Sequence, residues 1–236
     1  MNILAFDTCF DACSAAAGRG LRSLTPSIGF AFESMAVGHA ERLMPMIDSV
    51  MAEAGLSFAN LDRIAVTHGP GTFTGTRIAV AAARALSLAT GTPIVAVTSL
   101  RLMAMSPSLP SGRGQSIAIA TDARRGECYM QIIDRHTLKA VMPPCLVRVE
   151  NAADVLGHGP IVVAGSGALA VVEHARRAGC DVEYLKPDLL PDAVDMLFAA
   201  MDEPLTTSVE PVYLRAPDAK PPQADRFIRF RAGAGS

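Results

Sequence analysis

The chain contains no tryptophan, and aromatic residues of all kinds make up only 5% of it. Charge is scarce too, at 19% of residues, and neither sign dominates: the formal net charge is −2 and the pI about 6.2. The missing basic excess argues against a dedicated nucleic-acid binder, though not against a subunit of a complex that handles RNA. The opening MNILAFDTC has no basic n-region and no small-residue cleavage site, so a secretory signal is not expected. No apolar run suits a membrane span: Ile78 to Val97 is interrupted by Arg84 and carries Gly91 and Pro93. Metal and hydrolase signatures are lacking as well. His39, His68, His136, His158 and His174 form no H-E-x-x-H, no close pair and no Cys–Cys–His spacing for zinc. Nothing like G-x-S-x-G is present. Cys9, Cys13, Cys128, Cys145 and Cys180 are odd in number and scattered, which suits reduced thiols in a cytoplasmic protein.

What the chain has is apolar mass. Half of its 236 residues are hydrophobic, 11 are Met, and the mean hydropathy is +0.30. That length supports one large or two small domains with real cores. The hydropathy implies an unusually complete core, or apolar surface meant for a partner.

The pattern of apolar runs is periodic at the level of whole elements. Asn2 to Asp7, Cys13 to Ala17 and Ile28 to Glu33 read as strands, followed by a helix over Ala40 to Ala54. Arg63 to Thr67 reads as a strand, Gly75 to Ala89 as a helix ended by Gly91, and Ile94 to Val97 as a strand. After MSPSLPSGRG, a Ser-, Pro- and Gly-rich stretch expected to be a linker, the order restarts. Ile117 to Asp122, Glu127 to Asp134 and Ala140 to Val149 read as strands, and Ala152 to Leu156 as a short helix. Ile161 to Ala164 is a strand, Ala168 to Ala178 a helix, Val182 to Leu185 a strand and Asp192 to Met201 a helix. Two copies of β-β-β-α-β-α-β predict an α/β protein with a duplicated ribonuclease-H-like fold, the actin-like (ASKHA) architecture of sugar kinases, actin and Hsp70. The expected division is an N-terminal domain over 1–104, a linker over 105–115, a smaller C-terminal domain over 116–205 and a partly mobile tail over 206–236.

In that architecture a nucleotide sits between the copies. Asp7 and Asp122 end the first strand of each copy, where an acid can reach metal or water near phosphate; each could equally just open a turn. Gly69, Gly71 and Gly75 join a strand to a helix, with Thr72, Thr74 and Arg77 nearby. Their backbone N–H groups could hold an anion, or the glycines could only permit the tight turn. The loop is not a Walker A, since it has no lysine. Gly165 and Gly167 follow a strand at the place where a kinase-like second domain would hold adenosine. In HAERLMPMIDSVMAEAG, Leu43, Met46, Ile47, Val50 and Ala54 form one helical face and Met44 and Met51 a second stripe, which points to burial on two sides. Pro45 is expected in the first turn or at a kink.

NILAFDTC, HAERLMPMID, THGPGTFTGTRIAVAAARALS, DARRGECY and PVYLRAPDAK together resemble the TsaB (YeaZ) family, in order and across nearly the whole chain. GPGTFTGTR combined with YLRAPDAK is the specific part of that match. The resemblance implies a non-catalytic subunit in the synthesis of threonylcarbamoyladenosine beside the anticodon of tRNAs reading A-starting codons, and not a peptidase. It implies a heterodimer with the paralogous transferase TsaD, engagement of the ATPase TsaE, a homodimer when alone, and contact with tRNA only through the complex. It implies no cofactor of its own, with ATP or ADP and the metal on TsaD or at the shared interface. The segments matching the family's bundling helices place His39, Arg42, Leu43, Met44, Met46, Ile47, Val50, Thr72, Phe73, Thr74 and Arg77 at the partner interface. Asp7, Thr8, Gly71, Asp122, Gly165 and Gly167 remain candidates for phosphate or nucleotide contact. Where TsaD carries N-H-L-E-G-H with two metal-binding histidines, this chain has Thr98-Ser99-Leu100-Arg101-Leu102-Met103. A hydroxyl and a thioether there do not replace two imidazoles. Cys9 stands where the family often has Ser, and a thiol is the poorer hydrogen-bonding group. The alternative on the same fold is an ATP-dependent small-molecule kinase.

Overall fold

The computed structural model describes residues 1–109 and 114–215. Residues 110–113 of the expected linker and 216–236 of the expected mobile tail lie outside the described residues.

The central strand of the first half, β1 (Ile3–Asp7), is buried along its whole length, as a continuous apolar run at the middle of a sheet must be. It pairs antiparallel with β2 (Ala12–Arg19), which pairs with β3 (Ser27–Ser34), and parallel with β4 (Arg63–Thr67), which pairs with β5 (Ile94–Val97). The sheet order is β3-β2-β1-β4-β5. The second half repeats this strand for strand. β6 (Ser116–Asp122) is central, β7 (Glu127–Asp134) and β8 (Ala140–Arg148) lie to one side, and β9 (Ile161–Ala164) and β10 (Val182–Leu185) to the other, giving β10-β9-β6-β7-β8. This is the duplicated actin-like arrangement the element order predicts.

One face of each sheet is covered by the helices that follow in sequence. α1 (His39–Ala54) and α2 (Phe73–Thr90) cover the first, and α4 (Ala152–Leu156) and α5 (Ala168–Arg177) the second. α1 ends on Gly55 and α2 on Gly91, both in the left-handed conformation that stops a helix cheaply only with glycine. Pro45 lies inside α1 beyond its first turn. It supplies no N–H, so the exposed Glu41 carbonyl goes without its helical donor.

The opposite faces are covered by exchange. α3 (Ser99–Ala104), a helix that the sequence pattern did not reveal, follows β5 but packs chiefly on β6 and β7 of the second sheet. Leu100 and Met103 join Ile117, Ile119 and Val162 in one apolar cluster, while Leu102 faces the first sheet. α6 (Ala193–Ala199) follows β10 but packs on β1 and β2, with Met196 and Leu197 against Ile3, Ala5 and Ala16. The expected second domain, residues 116–205, therefore gives its last helix to the first sheet. Side-chain caps start both helices: Thr98 accepts from the Arg101 N–H and Asp192 from the Val194 N–H. Residues 206–215, expected in the tail, return to the first half: Thr206 bridges Ile94 at the end of β5. Among the described residues no helix is long and apolar enough to cross a membrane.

Because α3 and α6 each cover the other half's sheet and pack on each other, the two halves should unfold together. Leu102→Ala, at a position with no exposed surface, should cost about 2–5 kcal/mol. Thermal unfolding followed by circular dichroism should stay a single transition at lower midpoint; two separated transitions would show that the halves are independent.

Candidate functional site

The glycine loop between β4 and α2 lies against the turn after β1. Thr72 donates its N–H to the Cys9 carbonyl at 2.7 Å, and the Thr8 hydroxyl donates to the Gly75 carbonyl at 2.7 Å. Gly75 donates its N–H to the Thr72 hydroxyl at 3.1 Å, which caps α2. The approach leaves no room for side chains. A Cβ on Gly75 would stand 1.9 Å from the Thr8 carbonyl oxygen, and one on Gly71 would stand 2.3 Å from that of Cys9. The glycines are required by this contact, and the Thr72 and Gly75 N–H groups are directed to the chain's own atoms.

Asp7 and Thr8 have no exposed surface. The Asp7 carboxylate accepts the Thr67 hydroxyl, from the neighbouring β4, and the Cys9 N–H at 3.3 Å. Burial pushes Asp7 up to about 6 against those hydrogen bonds. The Cys9 thiol lies 3.3 Å from the Thr67 hydroxyl, and burial together with the Asp7 charge pushes it far above the usual thiol range. Sequence placed Asp7, Thr8 and Gly71 beside a possible phosphate. In the structure they form a closed knot with Thr67, which the sequence reading did not single out.

The second half holds the same turn differently. Asp122 is exposed, and its carboxylate accepts the Arg124 N–H at 2.8 Å. Its own N–H donates to the Ser166 hydroxyl at 3.0 Å. Gly167 donates to the Ala120 carbonyl at 2.9 Å and Gly165 to that of Lys186 at 3.0 Å. A Cβ on Gly165 would lie 2.6 Å from the Ala120 oxygen. Asp122, Gly165 and Gly167 are thus brought together, and an open carboxylate there could meet a phosphate only across a cation. Among the described residues no group of three or more His, Cys, Asp or Glu is placed to hold a metal ion. Ser99 and Met103 are buried: the Ser99 hydroxyl donates to the Pro70 carbonyl, tying α3 to the glycine loop, and Met103 lies in the apolar cluster between the halves.

The helix face expected to meet a partner needs correction. Leu43, Met46, Ile47 and Val50 are at most 1% exposed and belong to the chain's own core, as does Met51 of the supposed second stripe. Period alone shows which residues share a face; the first sheet takes all of these. His39 is buried, with Nε2 2.9 Å from the Phe10 carbonyl; since a carbonyl only accepts, that nitrogen carries the hydrogen. Arg42 is partly exposed and pairs with Glu33 on β3, with its Nε 2.7 Å from the carboxylate. The residues that do face outward are Met44 on α1, 40% exposed, and Thr72, Phe73, Thr74 and Arg77 at the start of α2, with Phe73 54% exposed. The Arg77 guanidinium sits 5.0 Å from the centre of the Phe73 ring, within cation–π range.

A family profile described as "TsaD: tRNA N6-adenosine threonylcarbamoyltransferase" matches residues 22–201. The tRNA threonylcarbamoyladenosine biosynthesis protein TsaB of Escherichia coli is 32% identical over 229 residues, covering 91% of this chain and 95% of that protein. A tRNA N6-adenosine threonylcarbamoyltransferase of Erythrobacter litoralis is 44% identical over 109 residues, 46% of this chain but only 32% of the transferase. The solved structure of YeaZ from Pseudomonas aeruginosa superposes with a TM-score of 0.74 at 29% identity, covering 90% of this chain and 99% of that one.

Two measurements follow from the closed turn. Gly75→Ala must push the Thr8 backbone aside and should cost about 1–3 kcal/mol or more in chemical denaturation. Asp7 binds its proton more tightly folded than unfolded, so its contribution is fully present below about pH 4 and is lost as pH rises through about 6. Between pH 5 and 7 the wild type should lose on the order of 1–2 kcal/mol that Asp7→Asn does not lose. Asp195, raised to about 6 by burial and by Asp192, has the same sign and remains in both proteins. Parallel pH profiles for the two proteins would contradict the assignment to Asp7.

Proposed function

The chain belongs to the TsaB (YeaZ) family, and from that premise we propose that it is the non-catalytic partner subunit in tRNA threonylcarbamoyladenosine biosynthesis. It binds the transferase TsaD through the outward face of α1 and α2, TsaE joins the pair, and a second copy takes the same face when TsaD is absent. tRNA is met through the complex. The nucleotide and the metal belong to TsaD or to the shared interface, and the assembly works in the cytoplasm.

The observation that carries this reading is the closed knot in the first half. A catalytic phosphate loop must present free donors to its ligand. Here the Thr72 and Gly75 N–H groups are already bonded within the chain, and Asp7 is sealed beneath them. The same elements leave Met44, Phe73 and Arg77 exposed, where aromatic, Met and Arg side chains suit a partner's apolar helix. The kinase alternative keeps one supporting observation, the open Asp122 beside Gly165 and Gly167. A peptidase would need a nucleophile–base pair or a metal set. Ser99 and Met103, at the positions of the two metal-binding histidines, instead contact Pro70 and the interior.

Reconstitution separates the readings. Threonine, bicarbonate, ATP, tRNA, the threonylcarbamoyl-AMP synthase, TsaD and TsaE should yield modified adenosine only when this chain is added, and the chain without TsaD should yield none. Equal yield with and without it would refute the role. Met44→Glu should weaken TsaD binding by about thirtyfold or more in calorimetry, the scale of a lost interface anchor, with the unfolding midpoint little changed. Leu43→Ala should instead lower stability by about 2–5 kcal/mol. Unchanged affinity in a folded Met44→Glu protein would remove that face from the interface.

A further inference from the structure

The PVYLR stretch is one of the chain's most specific motifs, and the face described above makes no use of it. In the structure it belongs to a strap, residues 206–215, that crosses from the second half over the first. Arg84 of α2 donates from Nε to the Val209 carbonyl at 2.8 Å, and Val212 donates its N–H to the His68 carbonyl at 2.7 Å. The strap lies so close to the glycine loop that a Cβ on Gly69 would stand 2.9 Å from the Val212 oxygen. At its end it makes two contacts on opposite sides of the molecule's division. The Tyr213 ring lies 5.2 Å from that of Phe73, centre to centre, tilted by 31°. Two residues on, Arg215 pairs with Glu127 at the start of β7 and reaches the Arg124 carbonyl at 3.4 Å. The side chains of the Arg215–Glu127 pair are 22% and 24% exposed, so it is better sheltered from solvent screening than Arg84–Glu210, at 44% and 76%.

Phe73 opens α2 and is more than half exposed. A ring in that position would sample several rotamers unless something packs on it. Tyr213 and Arg77 both do. We propose that Tyr213 and Arg215 are positioning residues of the partner-binding face. Tyr213 holds Phe73, and through it Arg77, in the orientation that meets the partner, while Arg215 anchors the strap to the turn between β6 and β7. The proposal rests on the α1–α2 face assigned above. It adds that the second half, whose described residues contribute no helix to that face, sets how well the face is presented. The surface so arranged is a ring beside a guanidinium, which fits a partner helix with an apolar flank and a carboxylate at its margin.

The test uses the full-length chain and calorimetric titration with TsaD, with unfolding midpoints measured alongside. Tyr213→Ala should weaken binding roughly three- to tenfold, the scale of one lost aromatic pair, while Tyr213→Phe keeps wild-type affinity. Arg215→Glu should weaken it similarly, and Arg215→Glu combined with Glu127→Arg should restore it. Phe73→Ala serves as the control for the face itself. If Phe73→Ala weakens binding and Tyr213→Ala does not, the strap's role is refuted and the face stands. If Tyr213→Phe is as weak as Tyr213→Ala, ring stacking is not the link and the proposal fails. If neither Phe73→Ala nor Met44→Glu alters affinity, the face itself is wrong and the proposal falls with it.

Discussion

Each sheet has two faces and covers only one of them with its own leading helices. The first sheet's other face, carrying Ile3, Ala5, Ala16 and Val95, is closed by α6 from the second half. The second sheet's other face, carrying Ile117, Ile119 and Val162, is closed by α3 from the first. Apolar strand surface left in water costs about 25 cal/mol for every Å². A helix of six or seven residues has no stability of its own to offset that. Each short helix is therefore held by the other half's sheet, and each sheet by the other half's helix. The hydrogen bond from Ser99 to Pro70 and the pair Arg101–Glu203 lie at the same junction, so polar contacts reinforce what the apolar exchange requires.

The duplication yields two turns of equal position and unequal state. After β1, the chain folds onto glycines that follow some 65 residues later in sequence, and Asp7 ends beneath them with its charge unfavoured. After β6, the turn is braced from behind by Ser166 and Gly167, and Asp122 stays in solvent. Identical topology therefore does not fix chemistry. What differs is how the loop after the parallel neighbour strand, β4 or β9, meets the turn, with glycines where backbone touches backbone.

The fold was legible in the sequence because each strand is either a continuous apolar run or a clear alternation. Arg63–Thr67, Glu127–Asp134 and Ile161–Ala164 were bounded correctly by the polar and glycine residues around them. α3 was not, since six residues between a threonine cap and Met105 give less than two helical turns of pattern. The face of α1 was legible as a set, Leu43, Met46, Ile47 and Val50, but periodicity does not say whether a set turns toward the chain or away from it. Met44 and Met51, seven residues apart in sequence, end on different sides of that question. The closure over Asp7 was not legible at all, because it depends on the distance between Thr8 and Gly75, which no local pattern encodes. Tyr213 and Arg215 were visible as part of a motif, and only their partners in space, Phe73 and Glu127, give them a role.

The exchange of helices also imposes an order on synthesis. Ile3 and Ala5 leave the ribosome long before the side chains that bury them, Met196 and Leu197. At about 5–20 residues per second, the first sheet, whose last strand ends at Val97, waits roughly five to twenty seconds for α6 with one face open. Nascent-chain factors that shield apolar strands would have their longest engagement at that face. The first half cannot mature as a unit ahead of the second, even though its strands and both long helices are complete by residue 97.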